Sequence, residues 1–281
     1  MEISINGHKA NITLDNEKTI GEIMAGIELW LADSGHTLSG LSIDGQAPGA
    51  SRLDEVFSRE IGGVKTLDVF TSSIAELTVI SLSEVNGDID EYENMNFEDK
   101  SNFFNIWKER THARFIEDKL PELFSLYANA FSSGGLSPET LRSITEERLR
   151  EVKEPLDEFK KIEPLLNEIC LRLVDLPLDI QTGKDGRASQ TIQVFSGLTE
   201  KILRISKQLN IQGYFTGDEN FFSNMINDFS EVLKELLDAY EKRDTVLIGD
   251  LAEYEASPKL KELYAAILKK SRETADAQGE K

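Results

Sequence analysis

Residues 1–72 carry an alternation of strands, turns and one helix that leaves few folds open. Met1 to Gly7 alternates apolar and polar residues and runs into Asn6-Gly7; His8 to Leu14 alternates again, with Ala10, Ile12 and Leu14 on one face. Asn-Gly readily takes the positive φ angles of a type I′ turn, so this stretch reads as a β-hairpin. Thr19 followed by Glu22 is a capping box, in which each side chain satisfies an orphan amide at a helix start. Ile20, Ile23, Met24, Ile27 and Leu31 then recur at helical spacing, with Trp30 beside them. The helix should stop near Ser34-Gly35. Leu38 to Ile43 reads as a strand, Asp44-Gly45 as a turn, and Leu53 to Phe57 as a helical turn. Lys65 to Thr71 reads as a last strand with Leu67 and Val69 facing inward.

That order resembles ubiquitin and its bacterial relatives, the ubiquitin-like proteins of secretion systems. The residues that carry the resemblance are the opening hairpin, Thr19-Ile20-Gly21-Glu22-Ile23, Leu41-Ser42-Ile43-Asp44-Gly45-Gln46, Ser51-Arg52-Leu53-Asp54-Glu55-Val56-Phe57 and Lys65-Thr66-Leu67-Asp68-Val69-Phe70. It covers residues 1–73 and implies a ubiquitin-like β-grasp fold there. Two features depart from ubiquitin. Gly62-Gly63 precedes the last strand, so it is a loop and not a conjugation tail. By register, the outer sheet face carries Ser42, Asp68 and Phe70, so only Phe70 offers the apolar contact that ubiquitin-binding proteins use. Fold alone carries no function.

Past Ser73 the period changes. Ser73 and Glu76 make a second capping box, followed by Ile74, Leu77, Val85, Ile89 and Tyr92 at helical spacing, although Leu77 to Leu82 also suits a strand. Phe103, Phe104, Trp107, Phe115, Leu120, Leu123, Phe124 and Tyr127 follow, with a kink expected at Pro121. Ser137-Pro138-Glu139 is a helix start, with serine as cap and proline in the first turn. Pro155 and Pro164 should bend or break the helical run after it. Gln181 to Gly186 is polar and turn-rich, and helical patterns resume around Ile192–Ile205, Phe222–Tyr240, Val246–Tyr254 and Leu260–Ile267. The expected fold class is therefore α+β: a β-grasp domain over 1–73, an all-α bundle over 74–270 and a polar tail over 271–281. The stretch from Arg243 to Glu255 is similar to small helical proteins of bacterial motility gene clusters.

The net charge of −20 excludes whole classes of partner. Nucleic-acid affinity comes mainly from Lys and Arg neutralising phosphates, and anionic membranes repel an acidic chain. The same field suits a basic partner protein. Between Lys65 and Lys100 there is no Lys or Arg, while Asp68, Glu76, Glu84, Asp88, Asp90, Glu91, Glu93, Glu98 and Asp99 fall there. That run suggests a solvated linker or helix face, with a docking surface as the alternative. No apolar run approaches the ~20 residues that cross a bilayer, and the opening Met-Glu-Ile-Ser-Ile lacks a basic region before an apolar core. The single Cys170 excludes an intrachain disulfide. These features point to the cytoplasm.

No motif carries chemistry. Gly183-Lys184-Asp185-Gly186-Arg187 lacks the Ser or Thr that a phosphate loop needs after its lysine. Asn86-Gly87-Asp88-Ile89-Asp90 fails the calcium-loop spacing in both frames, since the sixth and twelfth positions are Glu91 and Phe97, or Glu93 and Asp99. His8, His36 and His112 are dispersed and read as surface residues. Cys170 lies in an apolar stretch and reads as core. No catalytic residue, metal or cofactor is therefore expected. The partner-binding candidates are aromatic: Phe70 on the sheet, Phe103, Phe104 and Trp107 as a stripe, and the adjacent Phe221 and Phe222, which cannot both face one core. The reading is a non-enzymatic adaptor or assembly factor acting through protein–protein contacts. The alternatives are an enzyme with a dispersed site and a helical accessory chaperone of export or motility.

Overall fold

The computed structural model describes residues 1–14, 16–32, 35–49, 52–215 and 219–279, with the side chains of residues 32, 219–221 and 276–279 outside the description. The fold class is α+β, a small mixed sheet followed by a long helical region. The chain divides into two compact units, Met1–Arg142 and Ser143–Lys281.

The first unit opens with strands β1 (Glu2–Ile5) and β2 (His8–Lys9), helix α1 (Ile20–Ala32), strand β3 (His36–Ile43), the short helix α2 (Leu53–Phe57) and strand β4 (Thr66–Ser73). The sheet order is β2-β1-β4-β3, with β1 and β4 parallel at the centre. Both expected turns form: Asn6 and Gly7 have φ of 50° and 79°, and Asp44 and Gly45 have 52° and 80°. Asp44 Oδ1 also accepts from the amides of Lys65 (2.8 Å) and Thr66 (3.0 Å), which holds its carboxyl below the ordinary range. Strand β2 is shorter than the alternation suggests. Ser4 pairs with Lys9 and Ile5 with His8, so Ile12 falls opposite Met1 and the hairpin runs out of partner. Ile12 is accordingly exposed.

Thr19 and Glu22 form the expected box, with amide–side-chain bonds of 3.2 and 3.3 Å. Helix α1 buries Ile20, Ile23, Met24, Ile27 and Leu31 against Ile3, Ile43, Val64, Leu67 and Val69. At Gly21 α1 lies close against α2: a Cβ there would lie 2.9 Å from the Phe57 carbonyl oxygen. A backbone oxygen at that distance forces the two helices apart. Gly21→Ala should therefore cost about 1–3 kcal/mol, as overpacking does. A urea midpoint no lower than that of the wild type would show that the contact yields freely.

Ser73 ends β4 and caps α3 (Ile74–Asn94), completing a capping box with Glu76. Residues 77–82 are thus helical and not strand. Asn96 caps α4 (Phe97–Trp107), which is followed by α5 (Thr111–Lys119) and α6 (Pro121–Ser133). Pro121 starts a helix and does not kink one, because its missing N–H is an orphan at that position anyway. Gly134, at φ 68°, ends α6. Helix α7 (Pro138–Lys153) begins where Ser137 accepts the Thr140 amide at 3.2 Å, and the division between the units falls inside it.

The second unit continues with α8 (Pro155–Lys160), α9 (Glu163–Gln181), α10 (Asp185–Ile211), α11 (Glu219–Glu241), α12 (Thr245–Asp250), a π-helical turn (Leu251–Ala256) and α13 (Ser257–Gly279). Its core runs from Phe159 through Leu173, Phe195, Phe229 and Ile248 to Ile267. Pro155 breaks the run as expected, and Pro164 lies in the first turn of α9. The segment expected to begin a polar tail is helical instead. Ser271 is fully buried with its hydroxyl on the Ile267 carbonyl (2.8 Å), and Thr274 reaches the Tyr214 carbonyl (2.8 Å). These small polar residues continue the core-facing row of Ile267 without exposing a methyl stripe.

Candidate functional site

The structure places the aromatic candidates mostly indoors. Phe103 and Trp107 are buried in the first unit, where Tyr92, Phe103, Trp107 and Phe131 meet with ring centroids 5.0–5.3 Å apart. Rings at these separations gain from edge-to-face contact beyond their area, so the stripe is core. Phe104 is half-buried, with Lys108 over its ring at 5.8 Å. Phe222 is buried and stacks on Phe215 at 3.9 Å. The side chain of Phe221 lies outside the described residues. Phe70 is exposed on the outer sheet face, where it lies across Gly40, 3.4 Å from where a Cβ would stand. Its neighbours on that face are polar, since Asp68 pairs with Ser42 and accepts from Ser4 at 2.6 Å.

His112 departs from the surface reading. Its Nε2 lies 2.6 Å from Asp88 Oδ2, and its side chain is 14% exposed. Asp88 is itself buried on α3. It also accepts from Trp107 Nε1 at 2.7 Å and from the Arg110 guanidinium, which forks on to Glu91 and lies 5.4 Å over Phe103. Burial works against the Arg110 charge, but the hydrogen bonds to Glu91 and Asp88 win and hold its pKa above the ordinary value. Asp88 thus gathers Trp107, Arg110 and His112, and the cluster anchors α3, α4 and α5 to one another. The Asn86–Asp90 stretch belongs to this helix and forms no loop.

The remaining polar motifs also have structural partners. Lys184 and Arg187 both turn back to the buried Asp179, at 3.7 and 3.0 Å. Cys170 is buried, and burial pushes its thiol up, away from thiolate chemistry. Among the described residues no three His, Cys, Asp or Glu side chains converge as metal ligands would.

What stands out in the second unit is apolar surface. Helix α9 buries Leu166, Ile169, Leu173 and Leu176, yet Leu171, Val174 and Leu178 are 71%, 50% and 57% exposed. Spacings of three and four residues put these three on one outward face. Helix α12 runs antiparallel beside them: Gln181 bonds Thr245 at 3.3 Å, Gly249 faces Pro177, and Cys170 meets the Ser257 carbonyl. A Cβ at Gly249 would stand 3.2 Å from Pro177, so glycine permits this close approach. The exposed Val246 is level with the Leu178 end of the row, and the exposed Tyr254 with the Leu171 end. Sequence reasoning missed this surface because its residues share the helical spacing of core residues.

The charges around the row are uneven. Arg172 pairs with Glu168, Arg187 with Asp175, and Arg243 with Asp185. Asp250 and Glu253 have no cation within ion-pair distance among the described residues. The Glu253 charge, a hydrogen bond from the phenol to Glu253, desolvation and, last, the Asp250 charge raise the pKa of Tyr254.

Two family models match parts of the chain. One, described as the TP0873 N-terminal domain, matches residues 1–73. The other, a domain of unknown function (DUF8042), matches residues 157–266, which include the exposed row and α12. No helix among the described residues is long and apolar enough to cross a membrane. No solved structure matches the chain. An uncharacterized protein of Treponema pallidum (strain Nichols) is similar from end to end, 25% identical over 268 residues that cover 95% of this chain and 96% of that relative.

Proposed function

We propose that the protein is a non-enzymatic adaptor or assembly factor that docks a partner protein on the α9–α12 face. One observation carries this reading: the row of Leu171, Val174 and Leu178, flanked by Val246 and Tyr254, is exposed although the unit has a well-filled core of its own. Contiguous apolar surface rimmed by polar groups marks interaction sites, whereas single exposed apolar residues need no explanation. The row presents the i, i+3, i+7 face that an amphipathic helix packs on. Asp250 and Glu253, with no cation in ion-pair range among the described residues, favour a partner helix with Lys or Arg beside its apolar stripe. The N-terminal sheet is, on this reading, a ubiquitin-type β-grasp. The central parallel pair, the outer hairpin and the single helix packed across one face support it.

The test compares bait proteins in an extract of the source organism. Leu171→Glu with Leu178→Glu should fold with stability within about 0.5 kcal/mol of the wild type, as surface substitutions do. The variant should lose at least tenfold in affinity for a partner that the wild type captures. Asp250→Lys with Glu253→Lys should weaken the same partner. A partner held equally by all three baits would place recognition elsewhere and sink this assignment.

A further inference from the structure

A cleft of about 490 Å³ opens in the second unit between the start of α9 and the middle of α13. Its apolar lining is Leu166, Ala265 and Leu268, with Tyr264 stacked on Phe159 at 4.8 Å beneath them. The Tyr264 hydroxyl is committed to the Phe159 carbonyl at 3.3 Å. Cations stand at both ends. Lys269 and Arg272, one helical turn apart, flank one end, and Lys261 with Asn167 flanks the other, about 16 Å away along the helix. Lys269 reaches Glu273 only at 4.0 Å. Lys261 and Arg272 make no ion pair among the described residues, whereas every other arginine of this unit makes one. Both therefore keep donors that no carboxylate among the described residues holds within ion-pair distance, beside an apolar cleft.

We propose that this cleft binds a small amphiphilic anion, a carboxylate or phosphate monoester on an apolar stem. Arg272 and Lys269 take the charged head, because a guanidinium donates in a planar fork that matches either group. The stem lies along Leu268, Ala265 and Leu166 toward Asn167. Glu163 and Glu273 also line the cleft and oppose an anion in proportion to its charge, which favours a ligand with a single charged group. The volume falls in the range of small-molecule sites, about 300–1,000 Å³. This site is separate from the α9–α12 face, and neither reading rests on the other.

Decanoate and decyl phosphate below their micelle concentrations, with decanol and inorganic phosphate as controls, test the site by calorimetry and by amide chemical shifts. Saturable 1:1 binding of either amphiphile, with shifts confined to α13 and the first turns of α9, is the expected result. Decanol and inorganic phosphate should each bind at least tenfold more weakly. Lys269→Gln with Arg272→Gln, both exposed, should cost at least tenfold in affinity, and Leu171→Glu with Leu178→Glu should change nothing. Decanol binding as well as decanoate would reduce the site to a greasy groove and overturn the proposal. So would unchanged affinity in the Lys269/Arg272 variant, or no saturable binding of either amphiphile. If only one amphiphile binds, the head group is thereby identified as carboxylate or phosphate.

Discussion

Asp88→Ala should destabilise the first unit by about 3–5 kcal/mol, the range for breaking a buried ion pair by removing one partner. Asp88 is 4% exposed and collects three donors from residues 19 to 24 positions away. Without it the Trp107 N–H has no acceptor in a fully buried position, His112 loses its partner, and Arg110 keeps only Glu91. The cost is the desolvation of what remains, more than the strength of what is lost. Asp88→Asn should fall between, since it keeps one acceptor but turns an amide NH₂ toward other donors. Replacing Asp88 and Arg110 together with leucine should recover part of the loss, because the stranded charge goes as well. Urea unfolding followed by tryptophan emission reads this directly, as Trp107 is buried while Trp30 is largely exposed. A loss under 1 kcal/mol for Asp88→Ala would mean that water or a rearranged carboxylate replaces Asp88 at little cost.

The second large effect should be a pH dependence in the other unit. Glu151, on α7, is buried. Arg204 approaches it through two bonds of 2.7 and 2.8 Å, and Arg148 through one of 3.1 Å. Burial nevertheless pushes its carboxyl from 4.5 up to about 7; Arg148 and Lys201 resist the rise, and Glu147 and Glu158 add to it. Between those two values the native chain holds a proton that the unfolded chain has released. Stability therefore falls as pH rises through this window and is flat above it. Integrated over the window, the contribution is at most roughly 3–4 kcal/mol. Glu22, Asp44, Glu109 and Asp157 have lowered carboxyls, so they lose stability only in more acid solution, below the Glu151 window. Denaturation midpoints should thus be higher near pH 5.5 than at pH 8, and Glu151→Gln should flatten that slope whatever it does to the absolute stability. An identical slope in the variant would assign the pH dependence to the general charge of the chain.

Much of the sheet and most helix starts could be read from the sequence, because each rests on a local rule. Asn6-Gly7 and Asp44-Gly45 sit at positive φ for reasons internal to the dipeptide, and Thr19/Glu22 and Ser73/Glu76 box their helices within four residues. Pro121 and Pro155 mark helix starts by the same local logic, although kink and start look alike until the preceding residue is placed. The Asp88 cluster was beyond this kind of reading. Nothing in Asn86-Gly87-Asp88 announces that Trp107, Arg110 and His112 will close on it after the rest of α3 and the whole of α4. Burial was equally opaque. Phe103 and Trp107 differ from Leu171 and Leu178 in size but not in spacing, and the larger residues went inside while the smaller ones stayed out. Periodicity says which residues share a face; only tertiary packing decides whether another element covers it.

Ser73 belongs at once to the last strand and to the cap of the first long helix, and the Ile74 amide still reaches back to the Gly35 carbonyl at 3.1 Å. There is consequently no slack between the sheet and α3. A conventional linker lets one module tumble while the other stays put. Here Ser73 is hydrogen-bonded into both elements, so the direction of the central strand and that of the helix axis are tied through one residue. The family match that stops at residue 73 therefore ends inside a continuous run of strand, cap and helix: whatever grips the sheet also bears on the helix.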